Sequence, residues 1–393
     1  MHKVLHILWG GDVGKANEYV KKLVSSKSKE VVKHHIFLVT KEGSVLNSTC
    51  LLNTPIISAS CTKFNQINYC RDRINEAVLE WEIDLIHCHT TNVFVMNQLP
   101  SIEKCKIIMT DHGEVEKIKD NEFIIDSLWK MHGQYISQVI LPSRELCDQF
   151  NTNYPELRHC STALKNPYEN SFKNINPSLG KDKNIGFIGN LEIDSGADRF
   201  VCMAAMIHAS SPRVKFNVYG VGRLEAHLKQ LASHLNLNEV ISFHGDDLDE
   251  SLAIEQMDLL MILNGSRKNI PRIIEAMAKG IPVLGPKNSG FNDYIKSGVN
   301  GYLCNKNDLP EFGETANLLL QNESDWKGIS NAAINFVDRE LSFEKHNKAL
   351  CEIYNAVIDS VSVNFADHME FPEEAVSASN SIPEFRLLEK YIC

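Results

Sequence analysis

No apolar run in this 393-residue chain approaches the roughly 18 residues that a membrane-spanning helix needs. The apolar stretch at residues 4–9 is shorter than a signal-peptide core, and no small-residue cleavage site follows it. The 11 cysteines are odd in number and contain no C-x-x-C pair, unlike a secreted disulfide framework. These absences predict a cytoplasmic protein without structural disulfides.

The chain also has no excess of positive charge, since 40 Lys and Arg against 50 Asp and Glu give a formal net charge of -10. Nucleic-acid binding through phosphate neutralisation is therefore not expected. Residues 1–172 hold 19 basic and 20 acidic residues, which leaves 21 and 30 for the remainder. An early basic cluster consists of Lys15, Lys21, Lys22, Lys27, Lys29 and Lys33. It fits either a solvated helix face or peripheral docking at a membrane beside a lipid-linked acceptor.

Short apolar runs alternate with helical patterns, which is typical of parallel sheets with crossover helices. The strand candidates are residues 4–9, 35–40, 84–89, 106–110 and 139–142, and then 184–189, 215–219, 240–244, 259–263 and 282–285. The helix candidates are residues 15–24, 71–81, 197–207, 224–235, 252–257, 272–279, 309–321, 326–339 and 343–361. A polar stretch at 173–183 separates the two halves. The pattern predicts two α/β domains.

The last 30 residues, 364–393, differ from the rest, with six acidic and two basic residues together with Pro372 and Pro383. This composition is typical of a flexible tail. Residues 385–391 have the pattern of a helix that docks on the body of the protein or on a second subunit. Both a flexible tail and a docking helix stay open. Docking on a second subunit would make the protein a homo-oligomer.

Glycine-rich turns follow three strand candidates. Residues 9–14 run Trp-Gly-Gly-Asp-Val-Gly, residues 185–196 contain Gly-Asn after the strand, and residues 218–224 run Val-Tyr-Gly-Val-Gly-Arg-Leu. Glycine lets a backbone approach a ligand closely, and the amino end of a helix attracts an anion. The first of these turns, residues 9–14, is therefore a candidate for binding an anionic ligand, with an ordinary turn glycine as the alternative.

Residues 271–283 combine a short helix that bears Glu275, a glycine at 280 and an apolar strand. Earlier in the chain, residues 84–89 run Asp-Leu-Ile-His-Cys-His and residues 110–112 run Thr-Asp-His. Together with the glycine turns, these segments resemble the retaining GT-B glycosyltransferases of the group 1 (family 4) type, over residues 1–361. The resemblance implies an α/β protein of the GT-B fold, in which two Rossmann-like domains face each other across a cleft.

The resemblance also implies a domain plan and a reaction. Residues 1–172 would form the N-terminal acceptor domain, 173–345 the C-terminal nucleotide-sugar domain, and 346–363 a terminal helix that returns to the N-terminal domain. The implied enzyme moves a hexosyl or N-acetylhexosaminyl group, with retention, from a nucleotide sugar to a saccharide or lipid-linked acceptor. Its product would be a surface glycan such as capsule or lipopolysaccharide. The nucleotide sugar is a co-substrate, and neither a cofactor nor a metal is expected.

The same resemblance assigns roles to individual residues. Glu275 would bind the ribose, Gly10 and Gly11 would admit the diphosphate and sugar, and His112 would contact the donor sugar. His112 and Glu275 are therefore the catalytic candidates. The donor-binding candidates are Gly10, Gly11, Asn190, Ser195, Gly222, Arg223, Arg267, Lys268 and Glu275.

The chain departs from the family pattern where the donor diphosphate binds. Asn190 and Ser195 replace an Arg and a Lys, and the first acid of the E-x(7)-E pair falls on Arg267 or, with a one-residue gap, on Lys268. Arg and Lys contribute strongly to phosphate binding and to leaving-group stabilisation. One hypothesis is a transferase in which Arg223, Arg267 and Lys268 supply displaced positive charge, although they also fit solvated loop charges. The other is a catalytically degenerate subunit that binds a glycan or a partner glycosyltransferase.

Two histidines of the first half, His87 and His89, lie at i and i+2 on a strand candidate and so share one face. A zinc site needs at least three protein ligands, and the sequence shows no third one beside them. A structural or acceptor-side role is therefore expected for this pair.

Overall fold

The computed structural model describes residues 1–9, 15–25, 32–40, 54–60, 67–89, 105–112, 129–130, 133–169, 177–245 and 249–360. The candidates Gly10 and Gly11 and the acidic tail 364–393 lie outside the described residues. The chain divides into two compact units, and each holds a parallel sheet. Within the described part, the first unit comprises residues 1–166 and 346–360, and the second comprises residues 167–345.

The first unit contains a seven-stranded parallel sheet in the described part of the chain, with the order β3-β2-β1-β4-β5-β6-β7. Its strands are β1 (His2–Trp9), β2 (Val32–Thr40), β3 (Ile56–Ser60), β4 (Leu85–Cys88), β5 (Lys106–Thr110), β6 (Gln138–Leu141) and β7 (Ser161–Ala163). The helices found between them are α1 (Lys15–Ser25), α2 (Ile67–Trp81) and α3 (Arg144–Asn153). Strands that are parallel throughout are the arrangement that the alternating pattern predicted.

The second unit repeats this construction with six parallel strands in the order β10-β9-β8-β11-β12-β13, again counted over the described residues. The strands are β8 (Asn184–Ile188), β9 (Lys215–Tyr219), β10 (Ile241–Phe243), β11 (Leu259–Met261), β12 (Val283–Pro286) and β13 (Tyr302–Cys304). The helices are α4 (Ala197–Ser210), α5 (Glu225–His234), α6 (Glu250–Glu255), α7 (Ile270–Ala278), α8 (Ser289–Asn292), α9 (Leu309–Gln321) and α10 (Glu323–Glu340). The last helix, α11 (Phe343–Asp359), belongs to the first unit from His346 onward.

Three strands were missed by the sequence patterns, namely β3, β7 and β13. All three lie at an edge of their sheet, where one side of the strand has no neighbour among the described residues. Edge strands such as Ser161–Ala163 are half-exposed, so they lack the continuous apolar run that marks a strand buried on both faces. Helix α3 was also missed, although its amino end has a serine cap: Ser143 Oγ accepts a hydrogen bond from Leu146 N at 3.2 Å.

The two faces of the first sheet differ in chemistry. Leu5, Ile7 and Phe37 belong to a large apolar core on one face. The alternate positions of the same strands, which point to the other face, include the buried His6 and His34. Helices α1 and α11 supply tyrosines that contact the histidines of this second face. Among the described residues, no helix combines the length and the apolar character required to cross a bilayer.

Candidate functional site

Six of the seven predicted donor-binding residues of the second unit lie on loops at one edge of its sheet, and the seventh, Glu275, lies on helix α7. Since all six strands are parallel, the loops after their carboxyl ends lie along the same edge. The loop after β8 carries Asn190 and Ser195, the loop after β9 carries Gly222 and Arg223, and the segment after β11 carries Arg267 and Lys268. The six residues that the sequence singled out are therefore neighbours by topology, although 78 positions separate the first from the last.

A side chain that the sequence analysis did not single out, Asn264, ties two of these loops together. Its Nδ2 donates to the Ser195 carbonyl oxygen at 2.7 Å, and its Oδ1 accepts from Asn269 Nδ2 at 2.6 Å and from Ser266 N at 3.1 Å. The network continues to Arg272, whose Nη1 donates to Asn269 Oδ1 at 2.8 Å. An Asn-Gly pair directly after a buried strand was the signal that could have found it.

Arg223, from the loop after β9, is held against the loop after β8, which carries Asn190 and Ser195. Its Nε donates to Glu192 Oε2 at 2.8 Å, and its backbone N–H donates to Glu192 Oε1 at 3.1 Å. The backbone N–H and then the guanidinium of Arg223 hold the pKa of the Glu192 carboxyl below its usual value. The side chain of Arg223 is 83% exposed, so its remaining donors face solvent. The structure thus brings a cation to the loop on which the family's arginine is replaced.

The glycine at 222 has a packing reason of its own. A Cβ at this position would lie 2.3 Å from the carbonyl oxygen of Leu191. At Gly220, which has a φ of +128°, a Cβ would lie 2.0 Å from the Gly189 carbonyl oxygen. The loops after β8 and β9 therefore approach so closely that only glycine fits between them, whether or not a ligand binds there.

Arg267 and Lys268 lie immediately before the amino end of α7. They form a short 3-10 turn with Asn269, capped by Ser266 Oγ, which accepts from Lys268 N at 3.3 Å. The unpaired N–H groups at the start of a helix carry partial positive charge, which adds to the charge of these two side chains. Arg267 is half-buried and Lys268 is exposed.

Glu275 lies on α7 and is paired with a buried cation. Its Oε1 lies 3.3 Å from Lys279 Nζ, and the same Nζ lies 2.9 Å from Glu255 Oε1. Lys279 also donates to the Ser251 carbonyl oxygen at 2.5 Å and to its Oγ. The Glu275 side chain keeps 22% of its exposure. Its negative charge adds to burial in raising the pKa of Tyr168 to about 12. Glu275 is thus an oriented carboxylate with a fixed counter-ion.

His112, the candidate of the first unit, lies just after β5 at the carboxyl edge of its own sheet. It is buried, and its Nε2 lies 3.1 Å from His89 Nδ1. His89 Nε2 in turn lies 2.8 Å from His6 Nδ1, and His6 Nε2 lies 2.9 Å from His34 Nδ1. Burial, followed by the neighbouring histidines, holds the pKa of His6 and of His89 well below the usual value, so both are neutral imidazoles.

His87 belongs to the same face but to a separate set of hydrogen bonds. Its Nδ1 lies 2.6 Å from the Tyr354 hydroxyl of α11, and its Nε2 lies 2.7 Å from Thr110 Oγ1. Burial also lowers its pKa. Each nitrogen of the ring therefore has a protein partner, which favours the structural role over the acceptor-side role.

The structure supplies the third histidine that the sequence did not show. His6, His87 and His89 each offer a ring nitrogen within 4.8 Å of the others, which is compatible with a metal ion. The parallel register of β1 and β4 places His6 directly opposite His87. Tetrahedral zinc with Zn–N bonds near 2.0–2.1 Å, however, separates two nitrogen ligands by about 3.3 Å. The 2.8 Å between His6 and His89 is the distance of a hydrogen bond, so the geometry favours a metal-free network.

Part of the chain matches a known protein family, and two relatives of known sequence are similar to it. Residues 169–336 match the protein family described as "Glycosyl transferases group 1". An uncharacterized glycosyltransferase of Haemophilus influenzae is 27% identical over 144 residues, which span 36% of this chain and 40% of that protein. An uncharacterized glycosyltransferase of Methanocaldococcus jannaschii is 22% identical over 359 residues, which span 88% of this chain and 96% of that protein.

Solved structures show the same fold over nearly the whole chain. HepE of Anabaena, in complex with UDP-glucose, is 17% identical and superposes with a TM-score of 0.62 over 91% of this chain and 100% of its own. The lipopolysaccharide outer core galactosyltransferase WaaB is 14% identical, with a TM-score of 0.67 over 90% and 99%. The fold is therefore the predicted α/β fold of the GT-B proteins. Within that fold, the part of the second unit that matches the group 1 glycosyltransferase family is residues 169–336.

Proposed function

We propose that the chain is a retaining glycosyltransferase of the cytoplasm, acting at or near the inner face of the membrane. It would transfer a hexosyl or N-acetylhexosaminyl group from a nucleotide sugar to a saccharide or lipid-linked acceptor of a surface glycan. The observation that carries this proposal is the convergence of Arg223, Arg267 and Lys268 on one sheet edge of a group 1 domain. Open α/β sheets bind nucleotides at this edge. The UDP-glucose bound to HepE and the lipopolysaccharide pathway of WaaB support the classes of donor and acceptor.

The positive charge at this edge would hold the donor diphosphate. Arg223 is fixed by Glu192 on the loop where Asn190 and Ser195 replace the family's cations. Arg267 and Lys268 add charge at the amino end of α7, where helix N–H groups also attract anions. As the bond to the sugar breaks, the diphosphate gains negative charge, and preorganised cations stabilise it. The displaced cations thus offer the leaving-group stabilisation that the missing Arg and Lys would give.

Glu275 is assigned to the ribose of the donor. A carboxylate that accepts hydrogen bonds from two ribose hydroxyls must stay oriented, and the ion pair with Lys279 holds Glu275 in one orientation. His112 is assigned the contact with the donor sugar that the resemblance implies. Its hydrogen bond to His89 fixes the plane of its ring.

A degenerate binding subunit is the second candidate, and one observation favours it. Ser195 already has structural contacts in place of a phosphate contact, since its Oγ accepts from Ala197 N at 3.3 Å and its carbonyl oxygen accepts from Asn264. Part of the guanidinium of Arg223 is likewise engaged by Glu192. A protein that only binds a glycan or a partner transferase would tolerate both changes.

Calorimetric titration of the full chain with UDP-, GDP- and ADP-sugars tests the proposal. We expect saturable binding of one of them, followed by transfer to a lipid-linked acceptor with the anomeric configuration retained, as read by NMR. Glu275→Gln should abolish the binding, whereas Glu255→Gln should keep it, because both carboxylates contact Lys279 but only Glu275 is assigned to the ribose. Binding without transfer would favour the degenerate subunit. If none of the nucleotide sugars binds, the proposed donor site is wrong.

A further inference from the structure

Four buried imidazoles form one hydrogen-bonded chain across the first sheet and end at His112. The order is His34 of β2, His6 of β1, then His89 after β4 and His112 after β5. These positions lie on four neighbouring strands or at their ends, since the sheet order runs β2-β1-β4-β5. We call them the imidazole chain. Its three links measure 2.9, 2.8 and 3.1 Å, all within hydrogen-bond range.

Every link of the imidazole chain joins the same two kinds of nitrogen. His34 Nδ1 meets His6 Nε2, His6 Nδ1 meets His89 Nε2, and His89 Nδ1 meets His112 Nε2. A neutral imidazole has one N–H donor and one acceptor nitrogen. His6 and His89 use both nitrogens within the chain, so a donor on one side of the ring requires an acceptor on the other. The links must therefore all point in the same direction.

We propose that the four rings share one tautomer, so that His34 and His6 act as positioning residues that set the hydrogen-bonding character of His112. If the protons are on Nδ1 throughout, His112 presents an Nδ1–H donor. If they are on Nε2 throughout, His112 Nε2 donates to His89 and its Nδ1 is an acceptor. An isolated histidine exchanges between the two forms, whereas the imidazole chain couples the choice at His112 to His34, which is three hydrogen bonds away.

Burial keeps the two inner rings of the imidazole chain, His6 and His89, neutral, which the coupling requires. The ring of Tyr19, from α1, lies over His89 and His112 with centroid distances of 5.5 and 4.9 Å. Helix α11 contributes Tyr354 and His346, and β4 contributes His87, whose ring centroid lies 4.0 Å from that of His89. The nearby titratable groups also include His35 beside His34 and the buried Asp111 beside His112. A proton added to His6 or His89 would turn both ring nitrogens into donors and break a link.

The catalytic use of this coupling rests on the proposed function, because it assumes that His112 contacts the donor sugar. A sugar hydroxyl can donate to or accept from an imidazole, and a fixed tautomer at His112 would select one of these arrangements. The tautomer coupling itself follows from the geometry of the unliganded protein. The two claims can therefore fail separately.

Ring-nitrogen NMR of the full 15N-labelled chain near neutral pH tests the coupling without any substrate, since the shifts of Nδ1 and Nε2 report which one is protonated. We expect the same nitrogen to be protonated in all four rings. In His34→Phe, we expect the His112 ring shifts to change together with those of His6 and His89. The matched control is His35→Phe, a buried neighbour on the opposite face of β2 whose ring stacks on Trp81 with a centroid distance of 5.0 Å. It should leave the three rings unchanged.

The proposal is overturned if the four rings of the wild type have mixed tautomers, or if His6 or His89 is charged. It is also overturned if the ring shifts of His112 do not change in His34→Phe. If His34→Phe does not fold, His6→Phe breaks the chain one ring closer and should also shift His112. Zinc added to chelator-treated protein provides a further check. Stoichiometric binding that moves the rings of His6, His87 and His89 would assign a metal centre instead. If no sugar is transferred by any preparation, the proposed function fails while the NMR result still decides the coupling.

Discussion

The ammonium group of Lys279 lies 3.3 Å from the carboxylate of Glu275, one helical turn earlier, and is itself almost fully buried. A buried lysine is costly unless it is paired and hydrogen-bonded. Here Glu255 of α6 and Ser251 supply the additional partners. The contacts of Lys279 therefore join α6 to α7 and hold Glu275, the residue proposed to bind the ribose, in one orientation.

Replacing Lys279 with Met should lower the free energy of unfolding. Removing one partner of a fully buried pair costs about 3–5 kcal/mol, and partial exposure of the two carboxylates reduces this to about 1–3 kcal/mol. Urea unfolding of the full chain measures it. The matched control is Lys268→Met, an exposed lysine of the same unit, for which a change within about 0.5 kcal/mol is expected. Equal effects of the two substitutions would contradict a stabilising pair at Lys279.

Arg223→Ala should weaken the binding of the donor nucleotide by about tenfold or more, because a hydrogen bond to a charged group contributes about 1.5–3 kcal/mol. Calorimetry at low and high salt measures it, and the difference between wild type and variant should shrink as salt screens the charge. Lys229→Ala is the control, since Lys229 is another exposed cation of the second unit and is paired with Glu225. An unchanged nucleotide affinity in Arg223→Ala would mean that this arginine only stabilises the loop, through its ion pair with Glu192.

The sequence predicted the fold class because the fold depends on a repeated local pattern. The strand Lys106–Thr110 contains the apolar run Ile-Ile-Met, and Lys215–Tyr219 buries Phe216, Val218 and Tyr219; both were predicted with the observed bounds. The edge strand Ser161–Ala163 has no such run and was missed. The resemblance to the glycosyltransferase family, and not the strand pattern, grouped Asn190, Arg223 and Arg267. Their loops follow β8, β9 and β11, and parallel strands place such loops at one edge of the sheet.

The contacts that give these residues their chemistry depend on register, which one sequence does not reveal. His6 lies opposite His87 because β1 and β4 pair in parallel at that position, and nothing near His6 in the sequence indicates it. His34 was outside the predicted bounds of β2, which begins at Val32. Lys279 lies at the end of a helix, where lysines are usually solvated, and only the packing of α6 on α7 shows that it is buried. The roles in donor binding stay predictions.

Acid should destabilise the protein through His346 of α11. Burial lowers the pKa of this imidazole from 6.5 to about 4, while its hydrogen bond to the Lys165 carbonyl opposes the shift. The unfolded chain therefore binds more protons between these pH values. The contribution of His346 to stability should be complete above about pH 6.5 and should decrease by about 3 kcal/mol as the pH falls to 4.

Urea unfolding at several pH values between these limits measures the dependence. His346→Gln, whose amide can still bond to the Tyr19 hydroxyl, should make the curve less steep by one proton, since His6, His87 and His89 also have lowered pKa values. The exposed His234→Gln should leave it unchanged. A slope that is the same in His346→Gln and in the wild type would mean that other groups carry the acid sensitivity.

The close approach of the loops after β8 and β9 makes Gly222→Ala a test of the site's rigidity. The new Cβ would lie 2.3 Å from the Leu191 carbonyl oxygen, and this backbone atom cannot yield without moving the loop. We expect a loss of about 1–3 kcal/mol in unfolding free energy, as in other overpacked positions, and weaker nucleotide binding.

Gly328→Ala, within α10, is the opposite case because a Cβ there meets nothing within 4 Å. Alanine at that position should stabilise the protein by about 0.5–1 kcal/mol, since it removes a helix-interior glycine. Thermal or urea unfolding of the two variants should therefore move in opposite directions. Nucleotide affinity should fall only in Gly222→Ala, and an unchanged affinity there would show that the donor does not depend on the spacing of these two loops.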